Sequence, residues 1–449
     1  MIINKITNNL FTYIIVYICT IPSCQTTKNS VKEPDDYFVE NEKKIELEPI
    51  NNKQNYKASN FSENIKSLKI GKQNISTGEP CFNLNSDDNI KIEFDLLSKN
   101  IISLQYQLIH CDMNWNESNL MEMEYLEGFS TDYIENFSIS NGPIQHYIHY
   151  EIEIPNNNLK IIKSGNYILK IFYENNPDNY LVSAKLFVSE QLSDLNFIIQ
   201  KTNDMDQRKY HQIYDVSCTY NPQNISDPYT NIFINVQQNH QEFDEHWLNG
   251  PDFIRENKLM FIADEERFFD GSNEFRFFEM STFNHKSENI DKIIYDNNNY
   301  HIILKKDFKR SYKQYLEYKD LDGKYFSRTF DNDDVKTEGE YAYVNLELPI
   351  RDKLEDDIYI FGEISNWEID ENFLMTYDST TQSYKNSILL KQGYYNYLYV
   401  TKNQNSISTR RLEGAHFDSN NEYIIKVYYH DPLELYDRLL AYQVFKVNT

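Results

Sequence analysis

Residues 104–156 read LQYQLIHCDMNWNESNLMEMEYLEGFSTDYIENFSISNGPIQHYIHYEIEIPN. Both ends alternate apolar and polar side chains with a period of two, which puts one face of each on a core and predicts strands. Between them lies a long polar and aromatic insertion. Long loops on rigid β-scaffolds are where contacts concentrate, so Trp115, Tyr125 and Phe129 are the candidate partner contacts. Packing of the insertion against the next domain is the rival reading. His110 and Cys111 invite a nucleophile–base reading, but neighbouring strand residues point to opposite faces, which separates them. His146 and His149, three apart in an alternating stretch, also face opposite ways, so no shared metal is expected there.

Working outward, the same texture recurs. Ile90, Ile92 and Phe94 alternate with Lys91, Glu93 and Asp95, and short apolar runs separated by Asn, Asp, Ser and Gly clusters continue to the C-terminus. This is the pattern of antiparallel β-domains. The 36 Tyr and 27 Phe against 12 Gly and 12 Pro suit half-buried pleated surfaces rather than disorder. At 449 residues the chain exceeds one hydrophobic core. The fold class is all-β, as several antiparallel sandwiches of immunoglobulin-like or early-set type. Boundaries are placed at 65–192, 193–340 and 341–449. In the middle unit a strand is expected at residues 314–318, and Asp322 with Gly323 reads as a two-residue hairpin turn. One weak helical candidate lies at residues 433–440.

Charge narrows the function. With 69 acidic against 44 basic residues the net charge is −25, which disfavours nucleic acid, whose binding depends on lysine and arginine at phosphates. No nucleophile elbow, phosphate-cradling glycine loop or calcium-loop spacing occurs, so no enzyme, metal or cofactor is expected. Cys81, Cys111 and Cys218 have no C-x-x-C spacing, which argues against zinc. One disulfide or buried thiols remain open for these three.

The first 23 residues read as a signal peptide. Lys5 precedes a 12-residue apolar run at residues 10–21, shorter than the roughly 20 residues of a spanning helix. Ile21, Pro22, Ser23 and Cys24 follow in an order that resembles a bacterial lipobox, with Pro22 replacing the usual small residue. Cys24 is thus the expected lipidation site, an ordinary secretory signal being the alternative, and residues 24–64 form a tether. Gln25 at the position where Asp favours inner-membrane retention points to the outer membrane. The body is read as periplasmic, with its exposure on the other face left open.

Two resemblances add to this reading. FGEISNW (361–367), then Met375 to Asp378, then LLKQGYYNYLYV (389–400) resemble the early-set sandwich of glycogen-binding modules. That implies Trp367 as a glycan-stacking candidate, although residues 401–409 lack the aromatic partner that would complete the platform. An exported glycan-binding lipoprotein is accordingly the alternative function. The broader resemblance starts in the opening stretch. HCDMNWNESNLMEMEYLEGF (110–129), YIHYEIEIPN, SGNYILKIF, VQQNH (236–240), SNEFRFF (272–278) and LEGAHFDSNNEYIIKVYYHDP (412–432) run in the order seen in the plug protein family of the Bacteroidota type IX secretion system. The resemblance implies a non-enzymatic exported protein. Its expected partner is the outer-membrane translocon barrel, bound from the periplasmic side so that the idle pore is closed.

Overall fold

Residues 60–61 begin the first of three stacked pairs of sheets in this computed structural model, which describes Tyr56 and residues 59–72, 78–84, 86–404 and 406–447. The expected signal peptide and Cys24 lie outside the described residues. The architecture is all-β, as expected, and the described helices are single turns.

The first sandwich faces two sheets across one core. One sheet runs Asn60–Phe61, Tyr180–Ser189, Gly165–Tyr173, Leu104–Cys111 and Thr131–Tyr133, with Cys81–Asn83 parallel to Tyr180–Ser189. The other runs Ile65–Lys72, Ile90–Leu96, Ile148–Ile154 and Asn136–Ile139. Ile90, Ile92 and Phe94 are fully buried between them, the inward set of the alternation read above. The insertion is not a free excursion. Thr131–Tyr133 extends one sheet, Asn136–Ile139 extends the opposite one, and Leu126–Gly128 pairs with Leu159–Ile161.

The middle core is not contiguous in sequence, because the third is inserted within it. The middle core lies between the sheet of Leu195–Lys201, His211–Thr219, Lys258–Phe261 and Phe253–Arg255 and the sheet of His246–Leu248, Ile232–Gln238, Asn421–His430 and Asp437–Val447. The last two strands thus leave the expected C-terminal unit and complete the middle one. The third core gathers Arg276–Glu279, Asn299–Leu304 and Tyr325–Ser327 with the strands from Tyr341–Pro349 through Gly393–Lys402. A cut at residue 340 would separate Asn299–Leu304 from its parallel partner Tyr341–Pro349.

Three local expectations are corrected. Residues 433–440 are a turn leading into the strand Asp437–Val447, not a helix; Leu435 has φ +58° and both Leu433 and Leu435 are exposed, so no apolar helical face exists. Residues 314–318 form no strand, because Tyr315 and Tyr318 are used as anchors through their hydroxyls. Asp322 and Gly323 do turn the chain, but the following strand, Tyr325–Ser327, pairs with Gly393–Lys402 instead of folding back as a hairpin.

Candidate functional site

The polar residues that the alternation leaves unexplained converge where the sandwiches meet. Lys324, at the start of a third-sandwich strand, donates to Glu79 Oε1 at 2.9 Å and to Glu422 Oε2 at 3.0 Å. Glu79 comes from the first sandwich and Glu422 from the middle one. His240 Nε2 lies 3.6 Å from both carboxylates, and Tyr442 donates to Glu79 Oε2 at 2.8 Å. Trp367 stacks on His240 with ring centroids 4.3 Å apart and planes 20° from parallel. All three sandwiches therefore meet in one buried ionic group.

A second junction ties the first sandwich to the third. Asp95, fully buried, accepts from Lys391 Nζ, Tyr341 Oη and His149 Nδ1, each at 2.7 Å. The Lys391 ammonium also lies 4.1 Å from the Tyr147 ring centroid. Around this centre Lys336 reaches Glu93 at 2.9 Å and also bonds Glu151, while Tyr147 donates to the Gly339 carbonyl at 3.0 Å. Farther along the same seam Tyr325 donates to the Leu68 carbonyl at 3.0 Å and Lys69 bonds Glu363.

Glu79, His240 and Glu422, and likewise Glu93, His149 and Glu151, bring three metal-ligating atoms together. The donor types would suit a divalent ion, but ammonium groups already provide the positive charge: Lys324 in the first set, Lys91 and Lys336 in the second. Both groups are ionic ties between domains.

Their electrostatics set a pH dependence. Burial opposes a charged His240, yet Glu79 and Glu422 outweigh it and raise its pKa to about 9. His149 is raised to about 9 as well, burial again being overcome, by bonds to Asp95 and Glu93. A folded-state pKa above the unfolded value of about 6.5 gives stability that is complete below that value and lost as pH climbs through 9. The unfolding midpoint should thus fall between pH 6.5 and 9.5, and His240→Gln should flatten part of that slope. A slope identical in wild type and variant would refute the assignment.

The sequence-derived candidates are distributed differently from expectation. Trp115 is buried and edge-on to Phe187 at 5.4 Å, inside a cluster with Ile424, Tyr428 and Tyr442 that joins the first and middle sandwiches. Tyr125 is buried too, packed against His110 and Tyr167. Both are corrected from partner contacts to internal packing. Phe129 stays 66% exposed. Trp367 is half-buried with one ring face covered by His240, so that face offers no platform for a sugar ring. His110 donates from Nε2 to the Ser164 carbonyl at 3.1 Å, and burial lowers its pKa to about 4. Cys81, Cys111 and Cys218 are buried free thiols, with burial raising each pKa. Among the described residues no cysteine thiol bonds a histidine ring.

Glu79, His240, Lys324, Asp95 and Lys391 were missed as a group. A signal was present in two strands: Lys391 ends the apolar run of residues 388–390 and Glu422 precedes that of residues 423–425, whereas His240 lies in a turn after its strand.

Residues 65–190 match the family model of the type 9 secretion system plug protein 1st domain. The match covers 126 of the 449 residues. That domain is the first sandwich, the one holding Asp95, Glu79 and the opening stretch, so the family resemblance is borne out over this span. The plug domain does not stand alone. A crystal structure of a hypothetical protein from Parabacteroides merdae is similar with a TM-score of 0.83 and 29% identity, over 86% of this chain and 98% of that one. The similarity therefore extends through the sandwiches that follow the plug domain. No curated protein matches the sequence.

Proposed function

We propose that this protein is a non-enzymatic component of type IX secretion that binds the outer-membrane translocon barrel from the periplasmic side and closes its pore when no substrate passes. The plug-domain match carries this reading. The structure supplies a compatible body, because buried ion pairs tie the three sandwiches together and an aromatic cluster joins the first to the middle one. The tether expected over residues 24–64 is shorter at its end, because Tyr56 is buried and Asn60–Phe61 is an edge strand of the first sandwich. Lipidation at Cys24 and a tether ending before Tyr56 would hold that body at the outer membrane and raise its effective concentration at the pore. The net charge of −25 favours a basic rim on the barrel and salt-sensitive association.

Affinity purification of the full chain from gently solubilised outer membranes should recover a very large barrel protein, with recovery falling as salt is raised. A deletion strain should admit small solutes through the unplugged pore. Recovery of no barrel together with an unchanged permeability barrier would refute the reading. The glycan alternative loses its main support in the covered face of Trp367.

A further inference from the structure

Residues 305–324, KKDFKRSYKQYLEYKDLDGK, cross the third sandwich as a strap with no helix or strand. A segment this long without regular structure needs other anchors, and it has them. Arg310 donates to Glu413 Oε2 at 2.6 Å and to the Glu274 carbonyl at 2.8 Å. Tyr318 donates to the Phe275 carbonyl at 2.8 Å, and Asp320 accepts from the Phe275 amide at 2.5 Å. The strap is thus a fixed surface feature.

Its side chains are sorted by charge. In a chain of net charge −25 this segment has seven basic residues against four acidic ones. The acids turn inward: Asp307 binds Arg276, Tyr397 and Tyr399; Asp320 caps Phe275; Asp322 pairs with Lys446. Only Glu317 among them is exposed, whereas Lys305, Lys306, Lys313 and Lys319 all face solvent. Between these lysines three large apolar side chains also point outward: Phe308 is 54%, Tyr312 75% and Leu316 72% exposed.

We propose that the strap docks the protein on an anionic phospholipid surface, with Phe308, Tyr312 and Leu316 entering the headgroup layer and the lysines pairing with phosphates. An acidic protein surface is the competing class of partner, and the composition argues against it. Protein interfaces are depleted of lysine at their cores. Long lysine stems beside isolated Phe, Tyr and Leu are instead what a bilayer boundary accommodates, stems buried and ammonium groups among headgroups. The acidic body would be repelled from the same surface, so docking through the strap also fixes which side faces the membrane. This inference stands independently of the barrel reading.

The test is partition of the purified full chain onto vesicles of phosphatidylcholine alone and of phosphatidylcholine mixed with phosphatidylglycerol, at lipid concentrations where binding is incomplete. Comparing wild type with each variant on the same vesicles cancels the contribution of residues before 56, which is common to both proteins. Wild type should prefer the anionic vesicles, by about fivefold for each lysine that reaches them. Replacing Lys305, Lys313 and Lys319 with Gln should lower that preference by about a hundredfold, while K99Q/K160Q/K209Q, exposed lysines elsewhere, should leave it intact. F308S/Y312S/L316S should weaken binding to both vesicle types. Thermal unfolding verifies that each variant is folded. Equal partition of wild type on the two vesicle types, or a strap triple variant that behaves as wild type, overturns the proposal. Strap-dependent capture of polyglutamate without vesicle binding also overturns it, in favour of an acidic protein partner.

Discussion

Replacing Glu413 with alanine is expected to destabilise the protein by about 3–5 kcal/mol, the cost of leaving buried charge without its counter-ion. Glu413 is fully buried and receives Arg276 Nε at 2.9 Å, Arg276 Nη2 at 3.0 Å and Arg310 Nε at 2.6 Å, and it also accepts the Tyr399 amide at 2.9 Å. Burial alone would raise its pKa, but the two guanidiniums win and hold it low. Without the carboxylate Arg310 loses its counter-ion, Arg276 keeps only Asp307, and the Tyr399 amide loses its acceptor. The same change releases Arg310, the main anchor of residues 305–324. Two readouts follow: a large drop in the denaturant midpoint, and earlier proteolytic cleavage within the strap than elsewhere. A loss below about 1 kcal/mol, the range of exposed pairs, would mean that the network is solvated.

Asp95→Ala should cost a similar amount, on the order of 3–5 kcal/mol, through a different consequence. Asp95 is the only described carboxylate bonded to Lys391, whose side chain is 2% exposed. Burial already lowers the Lys391 pKa against the pull of Asp95. With Asp95 gone, the lysine folds most easily without its proton, so the deficit of the variant should shrink as pH rises. Combining Asp95→Ala with Lys391→Met removes the stranded ammonium and should recover part of the loss, a coupling of roughly 0.5–3 kcal/mol in a double-mutant cycle. Because the pair spans the first and third sandwiches, Asp95→Ala should also separate their unfolding into two transitions. A single transition with additive single-variant losses would refute the coupling.

The legibility of these features in the sequence follows from the range of the physics that produces them. Ile90, Ile92 and Phe94 announce their strand because alternation is a local consequence of the pleat and one face of that strand meets a core. Asn421–His430 shows the opposite case. Tyr423, Ile425, Val427 and Tyr429 enter the middle core, while Ile424 and Tyr428 on the reverse face join the cluster shared with the first sandwich. A strand covered on both faces is visible as a strand, but its pattern does not name the sheet it completes. Trp115 was likewise conspicuous yet ambiguous: a large aromatic in a long insertion fits a partner or a neighbouring domain equally, and the cluster around Phe187 and Tyr442 took it.

The ion pairs were hidden for a stronger reason. Glu79 and Lys324 are 245 residues apart, Asp95 and Lys391 are 296 apart, and nothing local around any of the four residues specifies the match. Charged residues ordinarily lie at the surface. The sequence read alone leaves Glu79, Asp95, Lys324 and Lys391 in that ordinary class. Only a second sandwich packed over them converts them into buried partners.

By itself, then, the sequence determined the all-β class, most strand positions, the absence of a recognised catalytic motif and the plug-family likeness of the first domain, because each is carried by short-range pattern or by residue order. The tertiary structure alone decided that the final hairpin completes the middle sandwich, that Trp115 and Tyr125 are internal, that Trp367 is covered by His240, and that residues 305–324 turn three of their four acids inward and four of their six lysines outward. Those outcomes depend on which distant surfaces meet, and burial against a remote element is a property of the assembled chain rather than of any segment within it.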